Sequence, residues 1–174
     1  MLEKEFDFKK LEKKIYVNWE KSNSFKPQKN NDESYCIMMP PPNVTGSLHM
    51  GHALTFTLQD IIIRFYKKLG KNVLWQPGTD HAGIATEIIV EKKLLNEKKK
   101  NKKEIGRDEF IKRIWKWKDE SGNKIIDQLK RLGTSVDWSL SRFTLDKGLS
   151  DAVNEVFIEL YSKGLIYKDK RLVN

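Results

Sequence analysis

Apolar residues along the first half of the chain recur at helical spacing, contract into a short continuous run, and resume helical spacing beyond a cluster of prolines. Phe8, Leu11, Ile15 and Trp19 mark one face of an amphipathic helix that should stop before Pro27. Asn23 to Ser34 is a polar connector, and Tyr35 to Met39 reads as a short buried strand, with Cys36 inside it pointing toward the core. Pro40, Pro41 and Pro42 forbid both helix and further strand pairing, so the chain must leave the sheet there. From about His49, the positions Met50, Leu54, Leu58, Ile61 and Ile62 predict a helix running to Leu69, with Gly70 as its C-terminal cap. Asn72 to Trp75 then reads as a second strand, Pro77-Gly78-Thr79-Asp80 as the loop that leaves it, and a new helix should start near Ile84.

The second half is helical in pattern. Lys92 to Lys103 is dominated by lysine and reads as a solvated helix end or loop, with RNA contact as the weaker alternative. Phe110, Ile111, Ile114, Trp117, Ile125, Leu129 and Leu132 keep helical spacing from Asp108 to Leu132, with Gly122 expected to interrupt the helix and Gly133 to stop it. Trp115 and Trp117 cannot share a face, so one belongs to the core and the other packs on a neighbouring segment. Asp146 to Lys163 forms a last helix capped by Gly164, and Leu165 to Tyr167 with Leu172 and Val173 suggest short strands. Strand, helix, strand, helix in succession predicts an α/β fold with a parallel nucleotide-binding sheet, whose ligands sit at the carboxyl edge of the strands.

The turn from Pro40 to His52 opens at that edge. His49 and His52 share one face of the first helical turn, where free backbone N–H groups and the positive end of the helix dipole also point, so a polyphosphate would meet oriented donors. Gly46 permits a tight turn with close backbone approach, and Gly51, between the histidines, leaves room for a flat ring against the backbone. On the histidine pair alone a polar cap is the ordinary reading. A zinc site of His49, His52 and His81 stays formally open, although Cys36 is removed from it into the strand.

The run Pro40-Pro41-Pro42-Asn43-Val44-Thr45-Gly46-Ser47-Leu48-His49-Met50-Gly51-His52 resembles the HIGH signature of class I aminoacyl-tRNA synthetases, with flanks like those of the valyl enzymes. Three further segments resemble that family in the same order: Trp75 to Thr86, Trp115 to Gly122, and Leu132 to Ser139. Isoleucyl and leucyl enzymes would carry a Gly-Trp-Asp type turn where this chain has Gly78-Thr79-Asp80. The resemblance spans about Ile15 to Asn174. It implies a helix-rich, incomplete α/β fold: residues 1–34 as an N-terminal helix and connector, and residues 35–174 as the first half of a Rossmann-like catalytic domain. It also implies activation of valine by ATP, with Mg2+, to valyl-adenylate, followed by transfer to tRNA(Val).

By that resemblance His49 and His52 would hydrogen-bond the phosphate oxygens in the transition state, and Thr45 and Gly46 would border the phosphates. Gly51 would let adenine lie on the helix start, Pro41 would form part of the valine pocket wall, and Asp80 would bind the α-amino group. Without the other motifs, Asp80 would read as a cap on the following helix. His81 either shapes the adenylate pocket or satisfies a backbone group. Ser139-Leu140-Ser141-Arg142 departs from a more charged family run ending in Arg-Glu. The family's KMSKS loop, editing domain, anticodon-binding helices and C-terminal arm are not in this sequence, so the chain is expected to be inactive alone and to need a complementing C-terminal synthetase chain. A non-catalytic binding or interaction fragment is the alternative.

Composition agrees with these expectations without deciding among them. The 174 residues are 39% apolar, ample for one ordinary core, and no apolar run is long enough to cross a membrane. One cysteine excludes an internal disulfide and suits a reducing cytoplasm. The net charge of +9 suits an anionic partner such as tRNA, though abundant lysine can also reflect genome composition.

Overall fold

In the computed structural model, residues 7–28 and 33–172 are described, so part of the polar connector and Val173 lie outside the described residues. The first helix, α1 (Phe8–Lys21), forms where its period predicts. Its anchor is Tyr16, 6% exposed, whereas Phe8 and Ile15 of the expected stripe are largely exposed. The Tyr16 hydroxyl donates to the Thr134 carbonyl at 2.8 Å and accepts from Trp138 Nε1 at 2.9 Å, so this helix is docked by a polar-tipped aromatic.

The next three elements make one right-order unit: β1 (Ser34–Met38), α2 (Met50–Lys68) and β2 (Asn72–Gln76). The strands pair in parallel, from Ser34 opposite Asn72 to Met38 opposite Gln76, and α2 is the crossover that parallel pairing demands. Tyr35 and Ile37 share a face with Val73 and Trp75, and that face packs on α2 and on the long helix α5 (Arg107–Leu132), through Met39, Phe56, Ile63, Ile125 and Leu129. The other face is open, and this corrects the expectation of a fully buried first strand. Cys36 lies on the open side and is exposed, because only one face of the pair is covered.

The buried side of α2 is not the one its strongest apolar period suggests. Phe56 and Ile63 are 1% and 3% exposed and sit in line with the half-buried His52, Gln59 and Tyr66, whose partners include Trp75 and Tyr35. Met50, Leu54, Leu58, Ile61 and Ile62 face outward, Met50 at 83% and Leu54 at 64%. A helix apolar on nearly every side belongs inside a larger body.

Beyond Pro77, a second parallel pair joins β3 (Gly78–Thr79) to β4 (Arg142–Phe143), a contact that two-residue strands leave no periodicity to announce. Between them run α3 (Ile84–Lys98), α4 (Lys102–Ile105) and α5. The lysine-rich stretch is the end of α3 and the capped turn of α4, and its lysines are mostly exposed. Helix α5 runs unbroken through Gly122, contrary to the expected interruption, because Gly122 is buried inside a helix held on both sides of it by Trp117, Ile125 and Leu129. It ends at Gly133, whose φ of 81° is the left-handed cap an L side chain resists.

The end of α5 is tied to α2 by ions and hydroxyls. Asp60 accepts from Arg64 Nε at 2.7 Å, from the Ser135 N–H at 2.9 Å, and from the Ser135 hydroxyl, while Arg64 Nη2 reaches the Gly133 carbonyl at 2.7 Å. A 3-10 turn (Trp138–Leu140) leads to β4, and α6 (Lys147–Ser162) starts at the Asp146 cap. The expected strands beyond Gly164 are not formed among the described residues. No helix of the described residues is long and apolar enough to cross a membrane.

Two outcomes follow from this packing. Tyr16→Phe strands a buried carbonyl and an indole N–H, and should cost about 1–3 kcal/mol in urea unfolding; an unchanged midpoint would show that α1 docks without the hydroxyl. The outward apolar residues of α2, together with Val153, Val156, Phe157 and Tyr161 on α6, should make the isolated chain self-associate, so light scattering should give a mass that rises with concentration. A constant monomer mass would contradict it.

Candidate active site

The signature turn is built from the sheet outward. After β1, Met39 donates to the Gln76 carbonyl at 3.0 Å, and the prolines then carry the chain along the edge with too few N–H groups to continue a ladder. Pairing resumes once: Asp80 donates to the Pro42 carbonyl at 2.8 Å and Val44 donates to the Asp80 carbonyl at 2.9 Å, leaving Asn43 and Asp80 on a single parallel rung. That rung brings the two loops together. Helix α5 fixes the turn from behind, with Trp117 Nε1 donating to the Val44 carbonyl at 2.8 Å and Gln128 Oε1 accepting from the Leu48 N–H at 2.9 Å. Trp117 is thus the inward tryptophan, and Trp115 packs edge-on against Phe143.

His49 is the N-cap of α2, with extended backbone. Its Nδ1 accepts from the Gly51 N–H at 3.1 Å, and His52 Nδ1 accepts from the His49 N–H at 3.3 Å. The pair is a reciprocal capping box made of two imidazoles, with ring centroids 4.0 Å apart. An Nδ1 that accepts carries no proton, so each neutral ring holds its proton on Nε2 as a donor directed away from the helix end. Gly51 is required by this arrangement: a Cβ there would stand 2.9 Å from His49 Cε1. The flat ring that fits over Gly51 in this structure is that of His49.

The turn and the helix start border an open cleft of about 720 Å³, lined by Pro41, Asn43, Thr45, Gly46, His49, Gly51 and His52 among others. A Cβ at Gly46 would meet nothing within 4 Å, so the fold itself does not demand glycine there, and the space beside it belongs to the cleft. Pro41 packs toward Gly78, next to the loop that carries Asp80. A second cleft of about 600 Å³ lies between α1 and α5, far from these loops, and is lined by alternating charges such as Lys13, Glu20, Asp127 and Lys130.

Asp80 is not in the wall of the histidine cleft but is joined to it through the Asn43 rung. Its Oδ1 accepts the Ala82 N–H at 2.8 Å, which holds Ala82 at a φ of 52° and makes the turn into α3. Its second oxygen, Oδ2, has no partner among the described residues. His81 Nδ1 lies 2.5 Å from Thr144 Oγ1, so His81 is turned away from the histidine pair, and no three His, Cys, Asp or Glu side chains gather as a metal site among the described residues. Sequence reasoning missed Asn43, Gln128 and Thr144; the position of Asn43 inside the signature run was the one available signal.

Burial pushes the His52 imidazole below its ordinary value of 6.5, and the neighbouring His49 adds to the effect. A folded-state value below the unfolded one means that the unfolded chain binds the proton more readily. The cap's contribution is then whole above the ordinary histidine range and is lost as pH falls through the folded value. An NMR titration should place the His52 midpoint below 6.5, with faster exchange of the His49 amide, which His52 Nδ1 holds, once it is passed. A midpoint at or above 6.5 would contradict the buried neutral ring.

Comparison with known proteins places this geometry. Residues 14–174 match the family model of class I tRNA synthetases (I, L, M and V). The whole chain aligns with valine–tRNA ligases of Bartonella quintana (strain Toulouse), at 57% identity over 20% of that protein, and of Mesorhizobium japonicum, at 58% identity over 19%. The chain thus spans about a fifth of the length of the curated relatives it matches. Its fold matches the agnB2 LeuRS of Agrobacterium radiobacter K84, crystallised as a ternary complex with tRNA and LeuAMS, with a TM-score of 0.77 at 20% identity, covering 95% of this chain and 19% of that one. At this identity and over this span, the chain belongs to the class I tRNA synthetases and aligns throughout with valine–tRNA ligases.

Proposed function

We propose that these residues form the part of a valine–tRNA ligase that receives ATP and valine. The observation that carries this is the reciprocal histidine cap, which fixes two Nε2–H donors at a helix N-terminus beside the cleft and one rung away from Asp80. In the proposed reaction the valine carboxylate attacks the α-phosphorus of ATP; the new oxygen–phosphorus bond forms as the bond to the bridging oxygen breaks, and pyrophosphate leaves. No protein nucleophile is needed. His49 and His52 donate to the phosphate oxygens as their charge grows, with the free amides of the first helical turn behind them. Thr45 and Gly46 border the phosphates, and adenine lies at the helix start beside the His49 ring that covers Gly51. Valine is then passed to the end of tRNA(Val), for which the net charge of +9 gives a favourable field.

Asp80 offers Oδ2 to the α-ammonium group while Oδ1 is held by the turn. Pro41 forms part of the valine pocket wall. The residues lining the cleft include no carboxylate, the ligand Mg2+ takes most readily from a protein, so Mg2+ would arrive on the ATP phosphates and not on these side chains. The exposed apolar sides of α2 and α6 support a need for a complementing C-terminal synthetase chain, and tRNA charging places the work in the cytoplasm.

Valine-dependent exchange of labelled pyrophosphate into ATP tests this. The chain alone should give none, and a complementing C-terminal chain should restore it. In the restored system His49→Ala and His52→Ala should each lower the rate about 10²-fold or more, with a smaller effect on valine binding. Near-normal rates in both variants would remove the histidines from the transition state.

A further inference from the structure

Thr144 is brought to the valine end of the site by β4. The parallel pairs Gly78 with Arg142 and Thr79 with Phe143, followed by the Thr144 N–H donating to the Thr79 carbonyl at 3.2 Å, carry it alongside Asp80 on the side opposite Asn43. Its hydroxyl oxygen accepts the His81 N–H at 2.9 Å, lies 2.5 Å from His81 Nδ1, and lies 3.5 Å from Asp80 Oδ1. The His81 carbonyl in turn accepts from the buried Thr86 hydroxyl at 2.7 Å, and Phe143 meets the His81 ring edge-on. His81 is therefore held at its carbonyl by Thr86, while its backbone N–H and its ring both depend on Thr144.

We propose that Thr144 is a positioning residue of the amino-acid site, one hydroxyl that locks the His81 tautomer and keeps Asp80 Oδ1 turned toward the helix start. The hydroxyl has one proton to give. Asp80 Oδ1 at 3.5 Å can only accept, so the proton goes there, and His81 Nδ1 at 2.5 Å, carrying the ring proton, donates to the same hydroxyl oxygen. Asp80 Oδ1, bound by the Ala82 N–H and flanked by Thr144 and His81, cannot swing, and Oδ2 is the oxygen presented to a ligand ammonium group. The proposal rests on the assignment of Asp80 to the substrate amino group, and it gives His81 a role as wall and brace of that carboxylate, not as a phosphate donor.

The test has two arms. Long-range 15N NMR of the purified chain should show His81 in the Nδ1–H form, shifted to a mixture of tautomers in Thr144→Val and returned in Thr144→Ser. Valine-dependent pyrophosphate exchange, in a valine–tRNA ligase relative whose matching segment is replaced by this chain, should show KM for valine raised about tenfold in Thr144→Val, kcat within about threefold, and recovery in Thr144→Ser. An unchanged His81 tautomer would overturn the lock. An unchanged KM in Thr144→Val, where Asp80→Asn raises it, would overturn the positioning role, and so would a raised KM that Thr144→Ser does not restore. If Asp80→Asn itself left KM unchanged, the assignment of Asp80 would fail, a result told apart because the NMR arm involves no valine.

Discussion

The site depends on one resumption of strand pairing. Three prolines strip the edge after β1 of donors, and parallel pairing would be expected to end with Met39; instead Pro42, Val44 and Asp80 exchange two further hydrogen bonds. Those bonds keep the two loops at the carboxyl edge at strand spacing, about 5 Å apart, rather than letting them splay. Everything downstream inherits that spacing. The signature turn can reach α2 only from there, and Asp80 is joined to the histidine cleft through its bridge to Asn43. A third segment, from β4, extends the arrangement on the far side of Asp80, so residues separated by some hundred positions in sequence form one continuous surface.

A rung at an edge is not rigid by itself, and α5 supplies what it lacks. Trp117 and Gln128 sit three helical turns apart on one side of α5 and hold opposite ends of the signature turn, Val44 and Leu48. That demands an unbroken helix between them, which is why Gly122 is accommodated in place and does not divide α5. The far end of α5 is fixed in turn by the Asp60, Arg64 and Ser135 cluster and by Tyr16. The N-terminal helix thus acts on the site at second hand: it seats the end of the helix that seats the turn.

The elements with strong periods and clear stops were legible in the sequence. The start of α2 at His49 and the stops at Gly70, Gly133 and Gly164 are written in local chemistry, as is the exit of the chain at Pro40. What could not be read is which side of an element meets the rest of the body. The outward row of α2 is more apolar than the inward row, where His52, Gln59 and Tyr66 are tolerated because each has a partner or a polar end to satisfy. Cys36 was misplaced for a similar reason: an apolar run signals a strand covered on both sides, and here one side is open. The residues that support the site, Gln128 and Thr144, belong to hydrogen bonds spanning 80 and 63 positions, and no local pattern encodes those.

The histidine pair shows why the ordinary and the functional interpretations of a motif need not compete. Two imidazoles that cap a helix must each turn Nδ1 toward a backbone N–H, and the proton then has only Nε2 to occupy. The cap selects the tautomer that a phosphate donor requires and fixes the ring before any ligand arrives, which is the preorganisation that makes such a donor effective. Burial that disfavours the charged form of His52 protects the cap, since a protonated Nδ1 could no longer accept. Gly51 completes the device by leaving the His49 ring a place to lie. The proton positions on the two capping rings are thus assigned in advance by the fold.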